Sequence, residues 1–111
     1  MQFFIPAKII KNFCELSDEE KLKTKEVLAE YLPLQTIIDG VYIHFRWTFW
    51  DAKKIGGYKV GGQSVVASTK VICDILRELG FFYDESQIVD ISSSKTYGDI
   101  EGVHVFIKGV E

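Results

Sequence analysis

Asp84 and Glu85 stand side by side, with Gln87 and Asp90 close behind, and this is where the chain's residue types and spacing suit metal chemistry. Mg²⁺ takes hard oxygen ligands and often needs only one or two carboxylates beside a substrate phosphate. An acidic pair placed after a helix and opposite a basic loop therefore suits phosphoryl transfer. The same four residues also read as a solvated acidic turn leading into a strand. The basic counterpart lies upstream. Between Val41 and Cys73 the cations Arg46, Lys53, Lys54, Lys59 and Lys70 face Asp51 alone, a local net charge of +4 in a chain whose total is −3. Such a segment can offer one face to phosphates, or it can be a solvated lysine loop. His44 and His104 lack ligand spacing, and Cys14 and Cys73 lack a CxxC neighbour, so zinc and redox motifs are missing. The two cysteines read as small buried thiols. Gly56-Gly57 and Gly61-Gly62 fit neither the P-loop nor the GxGxxG fingerprint, so no nucleotide cofactor is expected.

These residues must be positioned by a single domain covering 1–111, since 111 residues hold one core. A chain that is 47% hydrophobic and 26% charged is neither disordered nor collagen-like, and two cysteines do not make a disulfide scaffold. No apolar run reaches the roughly 18–20 residues of a membrane helix. The first residues lack the charge and cleavage pattern of a signal peptide, which predicts a cytoplasmic protein without a membrane partner.

Phe3 to Ile5 reads as a short strand ended by Pro6. Ser17-Asp18-Glu19-Glu20 has capping-box spacing and predicts a helix from Asp18 to Tyr31. Its expected apolar side is Leu22, Leu28, Ala29 and Leu32, and Pro33 stops it. The strongest strand follows, with Val41, Ile43, Phe45, Trp47 and Phe49 alternating with Tyr42, His44, Arg46, Thr48 and Trp50. The second set is expected to pack under another layer, or else to present Tyr42, Arg46 and Trp50 to a partner. Asp51 to Gln63 reads as a mobile glycine-lysine loop. A second helix is expected from Ser64 to Leu79, with Val65, Ile72, Ile75, Leu76 and Leu79 buried and Gly80 closing it. A strand from Ile88 to Lys95 and another from Val103 to Lys108 are expected to pair across a turn at Gly98 and Asp99. The order β-α-β-α-β-β predicts an α+β fold, with two main helices on a small mixed or antiparallel sheet of about four strands.

The run from Asp74 to Asp90, with Leu76, Gly80-Phe81, Asp84-Glu85, Gln87 and Ile88-Val89, resembles the C-terminal half of the RusA-type Holliday junction resolvases. Lys70 falls on that family's helix lysine. Lys95 and Tyr97 are similar to its Lys-x-Tyr strand ending, and Gly102 to Ile107 to its last strand. Phe4-Ile5-Pro6-Ala7-Lys8 resembles its opening motif. Residues 70–97 are the specific part. The resemblance implies a RusA-like fold, a homodimer, a phage or prophage setting, and a Mg²⁺-dependent endonuclease acting on branched DNA in recombination and repair. It places Lys70 and Glu85 at the catalytic positions, with Glu85 and Asp84 as metal ligands. Lys53, Lys54, Lys59, Lys70 and Lys95 are the expected DNA-binding residues.

The departure is equally specific. The family's Asp-x-Asp-Asn falls on Ser64, Val66 and Ala67. Valine carries no donor and a serine hydroxyl is a weak ligand beside a carboxylate, so two of three metal acids are replaced, by Ser64 and Val66, and the expected result is impaired cleavage with Mg²⁺ bound weakly or not at all. Three readings follow: a branched-DNA binder with a degraded nuclease site, an active resolvase with ligands rearranged around Glu85, Asp84 and Asp51 or Asp90, and a protein-interaction module on the same fold.

Overall fold

The computed structural model describes residues 1–6, 17–51, 53–54, 56–60 and 65–110, with Val65 placed by its backbone alone. The chain is α+β, in the order β1 (Gln2–Pro6), α1 (Asp18–Ala29), β2 (Gly40–Trp50), α2 (Val65–Leu79), β3 (Ile88–Gly98) and β4 (Gly102–Val110), with one 3-10 turn at Glu85–Gln87. The four strands form a mixed sheet in the order β1-β4-β2-β3.

β2 forms as its alternation predicts. Val41, Ile43, Phe45 and Trp47 are all but sealed from solvent, and Phe49 packs at the margin of the same core. α2 crosses this face with Ile72, Cys73, Ile75 and Leu76 buried, and Leu28 of α1 joins them. Burying a large aliphatic or aromatic side chain contributes about 1.5–3 kcal/mol, so this one face accounts for most of the drive to fold. α2 ends in a Schellman arrangement. The Phe81 amide donates to the Leu76 carbonyl and the Gly80 amide to the Arg77 carbonyl, both at 3.0 Å, with Gly80 at φ +98°. Ser64 lies outside the described residues, as does the side chain of Val65. No described helix is long and apolar enough to cross a membrane.

α1 begins with the predicted capping box, in which Ser17 accepts from the Glu20 amide and Glu20 reaches back to the Ser17 amide. Its end and its buried side differ from expectation. The helix closes at Ala29, well before Pro33. Leu22 is 59% exposed, Ala29 and Leu32 are also exposed, and the buried pair is Thr24 and Leu28. The helix is so rich in charge that it touches the core along one narrow i, i+4 line. Thr24 is accommodated there because its hydroxyl donates to the Glu20 carbonyl at 2.8 Å.

β3 and β4 do not pair with each other. β2 lies between them, parallel to β3 and antiparallel to β4. The physical reason is burial. Val103, Val105 and Ile107 are each at most 1% exposed, which requires β4 to sit inside the sheet with β1 on its other side. Beside β3 it would have been an edge strand. The connection 99–101 therefore crosses the end of β2, and Thr48 secures it, its hydroxyl donating to the Ile100 carbonyl at 2.6 Å and lying 3.3 Å from that of Gly102. Thr48→Val, which keeps the shape and removes the donor, is expected to cost about 1–2 kcal/mol in a urea melt.

Both helices cover the same face of the sheet. The opposite face carries Phe4, Tyr42, His44, Arg46, His104, Phe106 and Lys108, and among the described residues no layer covers it; Arg46 and Trp50 are exposed and Tyr42 half-buried, so the expectation that these three pack under another element is corrected for Arg46 and Trp50. No described segment is left to cover them. Trp50 is 53% exposed. The rings instead pack on one another within the face, Tyr42 on His44 at 4.0 Å and Phe4 on His104 at 4.6 Å between centroids, with the Lys108 ammonium 5.0 Å from the Tyr42 ring. Arg46 and burial hold the His104 imidazole below its ordinary pKa, burial being the larger cause.

Candidate functional site

The residues singled out from sequence fall into two groups. The first gathers at the carboxyl ends of the parallel strands β2 and β3, the end of an α/β unit where ligands commonly sit. Asp51 shapes the turn that leaves β2: its carboxylate accepts from the Lys53 amide at 3.0 Å and its carbonyl from the Lys54 amide at 3.1 Å. Residues 56–59 are then tied to the edge of β3. The Gly56 amide donates to the Tyr97 carbonyl, the Tyr97 amide to Gly57, and the Lys59 amide to Lys95, with Tyr58 bridging to Thr96. This part of the loop is pinned to the sheet edge by backbone bonds and one isolated bridge, where the glycines and lysines had suggested free motion. Gly61 and Gly62 lie outside the described residues.

The sheet also supplies aromatic surfaces for the lysines. The Lys59 ammonium lies 5.0 Å from the Phe49 ring and 5.6 Å from that of Tyr97, while the Lys54 ammonium is 5.4 Å from Tyr97. Lys53, Lys54, Lys59 and Lys95 thus share one end of the molecule with exposed Trp50 and Tyr58. The sequence did not suggest these ring contacts because Phe49 fits the apolar alternation of its strand and Tyr97 lies beyond Lys95, where the next strand was expected to end, whereas β3 runs on to Gly98. With its lysines set beside aromatic rings, such an end can contact a phosphate backbone while its aromatic groups meet sugar or base.

The second group lies farther along α2. The Lys70 ammonium is 3.0 Å from the Glu85 carboxylate and 3.6 Å from that of Asp74. Its two acidic neighbours raise the Lys70 pKa, the Glu85 hydrogen bond most. Glu85 is held below the usual carboxylate range, first by that bond and then by one with Asp74, whose own pKa is raised by desolvation and by the Glu85 bond. Asp74 is thus a member of this cluster, and its i, i+4 spacing from Lys70 was the signal for it. By linkage, the Glu85 contribution to stability is present above the ordinary carboxylate pKa and fades as pH falls through the lowered one.

Asp84 does not join Glu85. Its carboxylate accepts from the Ser86 amide at 2.8 Å as the cap of the 3-10 turn, and this bond holds its pKa down. Gln87 fastens the same turn, its carbonyl accepting from the amides of Tyr83 and Asp84 and its NH₂ donating to the carbonyls of Ile37 and Asp39. Both residues position Glu85 and neither faces a common centre with it.

Glu85 and Lys70 stand at the rim of a cleft of about 480 Å³ between α2 and β3, with Val66, Cys73, Ile88 and Ile91 as its apolar walls. At its floor the Ser93 hydroxyl accepts from the Trp47 indole at 2.7 Å and lies 3.0 Å from that of Thr69. The Mg²⁺ that the resemblance implies does not fit these residues. A hard dication needs several oxygen ligands, whereas here the two carboxylates, Glu85 and Asp74, are already engaged with the Lys70 ammonium beside hydrocarbon walls. Among the described residues no three His, Cys, Asp or Glu side chains are grouped to hold a metal ion. Asp51 caps its own turn at the other end of the strands, and Asp90 faces His44 across 3.7 Å on the helix-free face.

Cys73 is buried and its thiol is pushed up to about 12, first by desolvation and then by the charges of Asp74 and Glu85. Iodoacetamide at pH 8 is expected to leave Cys73 unmodified in the folded protein and to alkylate it in urea, which peptide mass spectrometry checks. Cys14 lies outside the described residues. No protein-family model matches this chain, and no curated protein matches it.

Proposed function

We propose that the protein binds branched DNA, Holliday junctions above all, as a RusA-like protein of recombination and repair whose metal-dependent cutting is impaired. The observation that carries this reading is the basic end. Lys53, Lys54 and Lys59 are held on a segment tied to β3, next to Lys95, with Trp50 and Tyr58 exposed among them. Phosphate contacts from such a group carry little base information, so discrimination rests on the shape of the DNA. Lys70 contributes less to DNA than the resemblance implies, because Glu85 and Asp74 already neutralise it. Incision with Mg²⁺ or Mn²⁺ is not expected from a site whose remaining acid is engaged in this way.

The homodimer belongs to the same proposal, and the helix-free sheet face is its contact surface. Five aromatic and imidazole rings, those of Phe4, Tyr42, His44, His104 and Phe106, lie on that face around Arg46 with no described helix over them, which suits contact with a second copy. A second copy laid across it would give the two basic ends a two-fold relation suited to a four-way junction. Phe106→Asp is expected to convert the dimer to a monomer in sedimentation velocity while the circular dichroism spectrum stays unchanged.

A gel shift with a four-way junction and a linear duplex of the same sequence tests the DNA reading. Preferential retardation of the junction at about 0.1 M salt supports it. Equal binding to both, or none, overturns it.

A further inference from the structure

We propose that the cleft between α2 and the outer edge of β3 takes an extended, uncharged peptide segment of another protein, which adds to the sheet as a strand. This goes beyond DNA binding and uses the other end of β3. Two features coincide there. From α2, Val66, Thr69, Lys70 and Cys73 form one i, i+3, i+4, i+7 stripe along the cleft. From β3, part of the backbone edge meets no described residue. The carbonyls of Lys95 and Tyr97 and the Tyr97 amide turn outward to meet residues 56–59. The two-residue period of a strand turns the backbone groups of Ile91 and Ser93 to the same edge, where no described residue pairs with them. An unpaired strand edge beside an apolar groove has the geometry of strand addition: main-chain bonds give affinity, and alternate side chains enter the groove.

The chemistry of the occupant follows from the walls. Val66 is 79% exposed and Ile91 48%, and the polar groups inside are hydroxyls. At the rim the Lys70 ammonium is held by the Glu85 and Asp74 carboxylates, which also bond to each other, so each of these charges already has a partner within the chain. A segment with small aliphatic residues at alternate positions matches this surface, while an acidic or basic one gains nothing from it. Size argues for a peptide over a second copy of this chain. The cleft is lined by nine residues, from Val66 of α2 to Ser93 of β3, against roughly 20–30 a side in a standard interface between two proteins. A stable dimer buries roughly 1,200–2,000 Å² in total. The chain's own segment 56–59 already occupies the remainder of this edge in the same manner.

The test is selection of a displayed library of random nonapeptides on the purified full chain, followed by fluorescence anisotropy with the enriched peptide. Enrichment of aliphatic residues at every second position is expected. Ile91→Pro removes the outward amide without touching the ladder to β2, and Val66→Lys places a charge in the groove from an exposed helix position. Each is expected to weaken the peptide by about tenfold or more, with unchanged circular dichroism and unchanged junction binding. No alternating pattern, or affinity indifferent to both variants, overturns the proposal. So does a dimer in sedimentation velocity that both variants dissolve, because a second copy would then be the occupant. Loss of junction binding in Lys53, Lys54 and Lys59 variants bears on the DNA reading alone and leaves this one standing.

Discussion

Replacing Lys53, Lys54 and Lys59 together by glutamine is expected to lower affinity for a four-way junction by about 500-fold at ~0.1 M salt. The figure follows from counterion release. Each neutralised phosphate contributes about 0.9 to the slope of log affinity against log salt, so three lost contacts flatten the slope by about 2.7. The fold should be untouched. Lys53 and Lys54 are exposed, and the bonds that hold residues 56–59 to β3 are made by backbone groups that glutamine keeps. The measurement is a set of binding isotherms over a salt series, with thermal melts of both proteins. An unchanged slope would mean that these lysines face solvent and that the phosphate contacts lie elsewhere. Lys70→Gln is the control: with Glu85 and Asp74 already holding its ammonium, it should change junction affinity several-fold less than the triple substitution.

Gly102→Ala is expected to be the most damaging single substitution for folding, costing about 3–5 kcal/mol. Gly102 opens β4 at φ +153°, a conformation that L side chains rarely adopt, and it pairs with Pro6 at the end of β1. A Cβ there would meet the carbonyl oxygen of Ile5 and the ring of Phe4, and the backbone oxygen has nowhere to go. Because β4 is an inner strand, moving its first residue disturbs its pairing with β1 and β2 alike. A domain of this size is stabilised by about 5–15 kcal/mol, so the variant should show a large fall in urea midpoint or fail to fold. By contrast Gly56→Ala, at φ +88° but with open space around it, should cost about 1 kcal/mol.

What could be read from the sequence follows the physics of each signal. The alternation from Val41 to Phe49, the capping box at Ser17 and the glycine closing α2 are local patterns with one dominant solution, and the α+β order follows from them. The position of β4 was not legible, because a three-residue connection reads as a hairpin and only the near-complete burial of Val103, Val105 and Ile107 moves that strand inward. α1 misled for the opposite reason: Leu22 and Ala29 fit a helical apolar face, but the helix buries only Thr24 and Leu28 and meets α2 through the Lys25–Glu78 ion pair at 2.7 Å. At the candidate site, residue types were readable and partnerships were not. Asp84 beside Glu85 suggests a shared ligand set, yet the backbone needs a cap there and takes Asp84 for it. Lys59 reads as a free cation until the sheet sets Phe49 and Tyr97 beneath it.

The central claim places a DNA junction on the basic end formed by the 53–60 segment and the last residues of β3. Amide chemical-shift mapping of the ¹⁵N-labelled protein, titrated with a four-way junction, tests it most directly. The account predicts shifts concentrated at Lys53, Lys54, Gly56 to Val60 and Lys95 to Gly98, reversed by added salt and independent of Mg²⁺. Shifts confined to the Lys70–Glu85 cleft that appear only with Mg²⁺, or no shifts at any residue, would contradict it.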